Sequence, residues 1–171
     1  LPIFVLFCGD KRALISISKI LIDFYSRGLE TPKPIEGADE TEILKIAYLS
    51  ELHFSKDHPF SKVIRMGVLP HSSGVPNGIR SAVEWAMENG KANFVICTST
   101  LAQGVNLPIK YLIVSSTMQG RNRISTRDFQ NLIGRAGRSG YHTEGSIIFS
   151  NPSIFDDRST RFGQQKWQAV L

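Results

Sequence analysis

The chain has 171 residues, 42% of them hydrophobic, with 20 Lys and Arg against 15 Asp and Glu, 14 Gly, 8 Pro and two Cys. A chain of this size and apolar content folds around one core that buries roughly 70% of the unfolded surface, which excludes disordered, collagen-like and disulfide-scaffold classes. The net charge of +5 lies wholly in the second part: residues 1–99 hold eleven basic and eleven acidic side chains, and residues 100–171 hold nine basic, seven of them Arg, and four acidic.

The first apolar run, residues 1–8, is far shorter than the roughly 18 residues of a membrane helix, and neither a charged n-region nor a small-residue cleavage site accompanies it. The expectation is an intracellular protein, cytoplasmic or nucleoid or nuclear, without a membrane partner. No Met precedes this strand-like run, so the chain reads as a piece of a longer polypeptide.

Ile3 to Cys8 predicts a strand, and Gly9-Asp10 turns the chain, with Asp10 as N-cap, into a helix whose Leu14, Ile17, Ile20, Leu21 and Phe24 recur at helical spacing until Gly28. Residues 29–62 interrupt this alternation with Thr-Pro-Lys-Pro, the acidic Asp39-Glu40-Thr41-Glu42 and an amphipathic segment around Ile43, Leu44, Ala47 and Leu49. They read as an insertion on one edge, and the acidic run as a solvated helix start. A strand follows over Met66–Leu69, then a turn over residues 70–75. Pro76 next leads into a helix carrying Ile79, Val83, Trp85, Ala86 and Met87, with Trp85 read as core, and Asn89-Gly90 stops it.

Residues 93–97 form a strand, 98–108 a loop and 111–116 a further strand. Ser125-Thr126-Arg127-Asp128 announces a helix that runs to Arg138. Residues 145–150 supply the last strand, and the polar stretch 151–171 leads out of a domain that occupies 1–150. Strands alternating with helices mark an α/β class with a mostly parallel sheet flanked by helices.

At 100° per residue the 125–138 helix places Phe129, Leu132, Ile133 and Ala136 on one side and Arg127, Gln130, Asn131, Arg135 and Arg138 on the other. Gly134 and Gly137 each cost about 1 kcal/mol in a helix interior relative to Ala, a sacrifice that suits close approach of a polyphosphate to the backbone. Guanidinium groups suit that visitor because each can grip two oxygens. The second segment of note is Thr98-Ser99-Thr100-Leu101-Ala102-Gln103-Gly104-Val105-Asn106-Leu107-Pro108. It leaves the C-terminal end of a strand, where open α/β sheets hold ligands. Cys8 and Cys97 each close an apolar run and read as buried free thiols. His53 and His58 lack partners at ligand spacing, so no metal site is expected.

Taken in order, these segments resemble the second RecA-like domain, the helicase C-terminal domain, of superfamily-two nucleic-acid helicases, and look closest to its Ski-like DExH branch. Residues 98–108 are similar to the fifth motif of that branch, and Gln130-Asn131-Leu132-Ile133-Gly134-Arg135-Ala136-Gly137-Arg138 fits its sixth, Q-x-x-G-R-x-G-R. Residues 4–12 look like the fourth motif, and His71-Ser72-Ser73-Gly74 with Arg80 like the element between the fourth and fifth.

The resemblance implies a RecA-like three-layer fold and an ATP-dependent helicase in the full-length protein. Arg135 and Arg138 would be arginine fingers reaching the γ-phosphate held by the preceding RecA-like domain, and Gln130 would place the nucleotide or the attacking water. Gly104 and Asn106 would lie near the ribose, although related families carry Asp where this chain has Asn106. Thr98, Gly9, Lys11, His71 and Arg80 would meet the backbone of single-stranded DNA or RNA. No G-x-x-x-x-G-K-[ST] occurs, since Gly90-Lys91 is followed by Ala92. The phosphate cradle and the Mg²⁺ carboxylates are thus expected on the first RecA-like domain, and the isolated chain should not hydrolyse ATP. The alternatives are a nucleic-acid-binding module without catalysis and a degenerate helicase domain serving as a docking scaffold.

Overall fold

The computed structural model describes residues 2–28, 30–101, 107, 109–136, 144–168 and 170. Its centre is a five-stranded sheet in the order β2-β3-β1-β4-β7. The strands are β1 (Ile3–Phe7), β2 (Val68–His71), β3 (Phe94–Cys97), β4 (Ile109–Val114) and β7 (Ser146–Phe149). Every pairing among them is parallel. A two-stranded hairpin, β5 (Met118–Gln119) with β6 (Asn122–Arg123), stands apart from this sheet. The helices are α1 (Lys11–Ser26), α2 (Glu40–His53), α3 (Pro59–Arg65), α4 (Asn77–Glu88), α5 (Thr126–Ile133), α6 (Ser153–Asp156) and α7 (Arg161–Trp167), with a 3-10 turn at Pro34–Gly37. The expected α/β class with a parallel sheet flanked by helices is what the chain adopts.

The chain crosses the sheet in one direction from β1 to β2 and returns through β3 and β4 to β7. With right-handed connections this puts α1 and α3 on one face and α4 and α5 on the other. The core is one cluster in which Val5, Phe7, Val95, Ile96, Leu112 and Val114 of the strands meet Leu14, Ile64, Ile79, Val83, Phe129 and Leu132 of the helices.

The helix starts follow the local chemistry read from the sequence. Asp10 caps α1 by accepting from the Ala13 amide, Asp39 caps α2 from the Glu42 amide, and Ser125 caps α5 from the Asp128 amide. The acidic run at 39–42 is accordingly a helix N-terminus, where carboxylates oppose the helix dipole.

Several expectations change in three dimensions. On α1 only Leu14 and Ser18 are buried, while Ile20 is 64% exposed. Ile20 lies about 120° around the helix from Leu14, outside the stripe that faces the protein. Trp85, expected in the core, is 47% exposed on the outer side of α4. Residues 29–62, expected as an edge insertion, supply Ile43, Ile46, Ala47 and Phe60 to the common core. α2 packs against both α3 and α4, and α3 against α1 and β2, so this stretch is part of the layer structure and not an addition to it.

β2 starts two residues later than read from the sequence because α3 continues to Arg65 and Gly67 turns the chain at φ +83°. A Cβ at Gly67 would collide with the backbone of Pro34 and Ile35. The stretch after β7, read as polar tail, folds into α6 and α7, with the Trp167 ring edge-on to Phe155 at 5.4 Å and the Arg158 guanidinium 3.7 Å above the Phe155 face. Arg123 of the hairpin donates to Gln168 at 3.0 Å.

Candidate functional site

The strands of the parallel sheet deliver their C-terminal ends to one edge, and backbone hydrogen bonds tie those ends together. Cys8 N donates to Cys97 O at 3.0 Å, Thr98 N to His71 O at 3.1 Å, and Ser115 N to Phe7 O at 2.9 Å. Chain direction reverses here: the loop after β1 leads to one face and the loop after β3 to the other, which is the crevice where open α/β sheets hold ligands. A cleft of about 350 Å³ opens at this point, lined by Gly9–Arg12, Ser73, Thr98–Thr100, Gln119 and Gly120.

Each side of the cleft is shaped by a specific constraint. Gly9 adopts φ +80°, and a Cβ there would run into the Met118 carbonyl, so the β1 loop can pass close to the hairpin only as glycine. Lys11 and Arg12, both exposed, stand in the first turn of α1. The Lys11 stem crosses Gly74 so closely that a Cβ on Gly74 would lie 3.1 Å from Lys11 Cδ. Thr98 is 6% exposed and its hydroxyl pairs with that of Thr100 at 3.0 Å. The cleft thus offers two cations and several hydroxyls against one carboxylate, Asp10, which is committed to the α1 cap.

The structure brings Gly9, Lys11 and Thr98, three of the residues expected to contact a strand, to one cleft. His71 is a correction. Its ring is 1% exposed, and Nε2 lies 2.7 Å from Glu84 Oε1. Burial pushes its pKa below the ordinary histidine value against the pull of the Glu84 carboxylate, and the nearby Arg80 pushes the same way as burial. A ring so enclosed does not meet a strand. Arg80, half-buried, donates from Nη2 to Asn77 Oδ1 at 2.9 Å and carries Nε 3.9 Å from the same Glu84 oxygen.

Arg135 lies at the other end of the sheet. The helix expected to run to Arg138 stops at Ile133, with Gly134 as its C-cap. Arg135 N and Ala136 N then bond three residues back, to Leu132 O at 3.2 Å and Ile133 O at 2.9 Å, a tightening typical of a helix end. Ala136 next bridges Ile109 at the start of β4, where Ile109 N donates to Arg135 O at 3.2 Å. Gln130 is exposed on the last full turn of α5. Arg135 therefore does not share a helix face with Gln130, and it stands one strand length, about 17 Å for β4, from the cleft. Arg138, Gly104 and Asn106 lie outside the described residues.

The sequence reading included Arg12, Ser73, Ser99 and Thr100 only within longer segments and passed over Gln119 and Gly120, all of which line the cleft. The hairpin carrying the last two had only Gly120 as a turn signal. Among the described residues, no three His, Cys, Asp or Glu side chains gather as a metal set, and no helix is long and apolar enough to cross a membrane. His58 caps α3 by accepting from the Phe60 amide at Nδ1. Cys8 and Cys97 are buried and free, and the Cys8 thiol donates to Cys97 O at 3.1 Å.

The family model of the helicase conserved C-terminal domain matches residues 41–140. The chain is 30% identical over 148 residues to the Hachiman protein HamB of Bacillus cereus, a match that covers 85% of this chain and 13% of that protein. It is 32% identical over 145 residues to a POLQ-like helicase of Caenorhabditis elegans, with 84% of this chain and 15% of that protein covered. Over 99 residues it is 36% identical to the ATP-dependent DNA helicase Hel308 of Thermoplasma volcanium, which covers 55% of this chain and 15% of that protein. The chain spans about one seventh of the length of these relatives.

Proposed function

The chain belongs to the helicase conserved C-terminal domain family, and from that membership we propose that it works as the second RecA-like domain, residues 1–150, of a longer ATP-driven helicase or translocase of the Ski-like branch. The observation that carries the reading is the division of anion-seeking groups between two ends of one sheet. The cleft at the C-terminal edge suits the sugar-phosphate backbone of a single strand. Lys11 supplies charge, Gly9 and Thr98 supply close backbone and hydroxyl contact, and Arg80 at the start of α4 extends the track. Such contacts hold phosphates without reading bases, so binding is indifferent to sequence and sensitive to salt. The His71 ring is left out of this contact set because it is buried.

At the other end, Arg135, with Arg138 beyond it, would reach across to an ATP held by the preceding domain, which also supplies the phosphate cradle and the Mg²⁺ ligands. A guanidinium there offsets charge that builds on the transferring phosphoryl group and can be worth ~10³ to 10⁵ in rate. Gln130 would orient the nucleotide or the attacking water, and Gly104 and Asn106 would contact the ribose from the loop that joins the two ends. ATP-driven closure of the two domains would then shift the strand, and release would reopen them. The isolated chain, holding half of the nucleotide site, would not turn over ATP. The similarity to an ATP-dependent DNA helicase of Thermoplasma volcanium supports ATP as the fuel and DNA as the first strand to test.

The deciding experiment compares strand-stimulated ATP turnover and strand affinity in the full-length protein carrying Arg135→Ala. Turnover should fall ~10³-fold or more, while strand Kd at fixed salt changes less than about threefold because the two ends are far apart. Turnover retained within about tenfold of wild type would refute the role of Arg135.

A further inference from the structure

We propose that Glu84 is a positioning residue for strand binding: anchored by the buried His71 ring, it holds the Arg80 guanidinium in place near the start of α4. This inference rests on the reading of Arg80 as a phosphate contact and names what makes that contact efficient. His71 closes β2, and its carbonyl accepts the Thr98 amide at 3.1 Å, so its backbone is fixed to the floor of the cleft. Its ring points into α4, where Nε2 meets Glu84 Oε1 at 2.7 Å. The second ring nitrogen, Nδ1, is buried without a hydrogen-bond partner. The carboxylate partner selects the neutral tautomer with the proton on Nε2, since a proton on Nδ1 would have no acceptor.

Glu84 is therefore a half-buried carboxylate tied to a buried ring. One oxygen is held from below by the imidazole and stands 3.9 Å from Arg80 Nε, while Asn77 Oδ1 accepts from Arg80 Nη2 at 2.9 Å. Along α4 the guanidinium is hydrogen-bonded to Asn77 on one side and has the Glu84 carboxylate at ion-pair distance on the other. A free arginine loses rotamer entropy when it grips a phosphate, and one already braced loses less. His71 also links two segments far apart in sequence, its carbonyl accepting from Thr98 after β3 and its ring meeting Glu84 on α4.

The proposal has a sign that simple electrostatics does not share. A carboxylate near the strand repels phosphate, so its removal should tighten binding if charge were all that mattered. Positioning predicts the reverse. Affinity for a fluorescein-labelled oligothymidylate strand is measured by anisotropy on the full-length protein with Arg80→Ala, Glu84→Ala and both. Glu84→Ala should weaken binding about fivefold and Arg80→Ala about tenfold, and adding Glu84→Ala to Arg80→Ala should change binding less than about 1.5-fold. Glu84→Gln keeps an acceptor for the imidazole N–H and so protects the fold. It should weaken binding about threefold, again only where Arg80 is present.

Binding that tightens or stays unchanged in the Glu84 variants while Arg80→Ala weakens it would overturn the inference and leave the strand reading standing. An equal loss with and without Arg80 would assign Glu84 to the fold alone and likewise overturn it. An Arg80→Ala protein with wild-type affinity would instead refute Arg80 as a strand contact, and the inference with it.

Discussion

The C-terminal and N-terminal ends of the parallel sheet are made from different materials. At the C-terminal end the cleft is assembled from four separate segments, the loops after β1, β2 and β3 and the β5–β6 hairpin, and beside its cations Lys11 and Arg12 it is lined by small residues such as Gly9, Ser73, Thr98 and Thr100. At the other end Arg135 is placed by one local event, the termination of α5 at Gly134 and the return of the chain to Ile109. A groove for a backbone needs room and amides, whereas charge neutralisation needs a single cation in a fixed place. On the proposed function, the separation implies that strand grip and ATP chemistry in the full-length protein can be damaged one at a time.

Gly9→Ala strikes the assembled end hardest. Its φ of +80° and the collision of the new Cβ with the Met118 carbonyl should cost about 3 kcal/mol or more and push the hairpin off the cleft. Thermal melting and strand titration on the same sample should both show the loss, and an unchanged melting temperature would contradict the close packing of loop and hairpin.

Lys11→Ala is milder and more selective. Strand Kd should rise about fivefold and the slope of log Kd against log salt should drop by about one, with ATP turnover at saturating strand unchanged. A parallel fall in turnover would mean that the two ends are not separable.

A smaller effect comes from pH. The pKa values of both His71 and His58 are held below the ordinary value by burial, so the unfolded chain takes up their protons first. Their contribution to stability is fully present above about pH 6.5 and is lost as pH falls through the lowered folded values. Urea melts from pH 8 to 5 should show stability declining on the acid side, and a His71→Gln protein should show a shallower decline; a wild-type profile flat to pH 5 would exclude this linkage.

Smallest of all is the response to thiol reagents. Burial, reinforced by the nearby Asp10, pushes Cys8 up to about 12, and Cys97 is raised well above its ordinary value by burial and by Cys8. Labelling at pH 8 should be slow in the native protein and complete only on unfolding.

Much of this was legible in one dimension because it is local. Asp10 was identifiable as a cap, 39–42 as a helix start and Ser125 as a capping-box start with Asp128, and β3 and β7 from short apolar runs after Gly90 and Gly145. The cleft was half legible: Gly9, Lys11 and Thr98 were named, while Gln119 and Gly120 were missed because a hairpin with two-residue strands leaves almost no periodic signal. Residues 29–62 were misjudged for a related reason. Prolines and acidic residues mask apolar positions whose partners, on α1, α4 and β2, lie elsewhere in the chain.

The order of amino acids alone determined the alternation of strands and helices, the arginine-rich second half and the motif order that points to a helicase domain, because each depends on neighbours within a turn or two. Only the folded chain decided that the His71 ring turns inward to Glu84, that α5 ends before Arg135, and that Gly9 and Thr98 face one cleft while Arg135 sits at the far end. These outcomes depend on which surfaces exclude water together and which strands become neighbours, and parallel pairing across crossover connections is a long-range choice that local propensity does not encode.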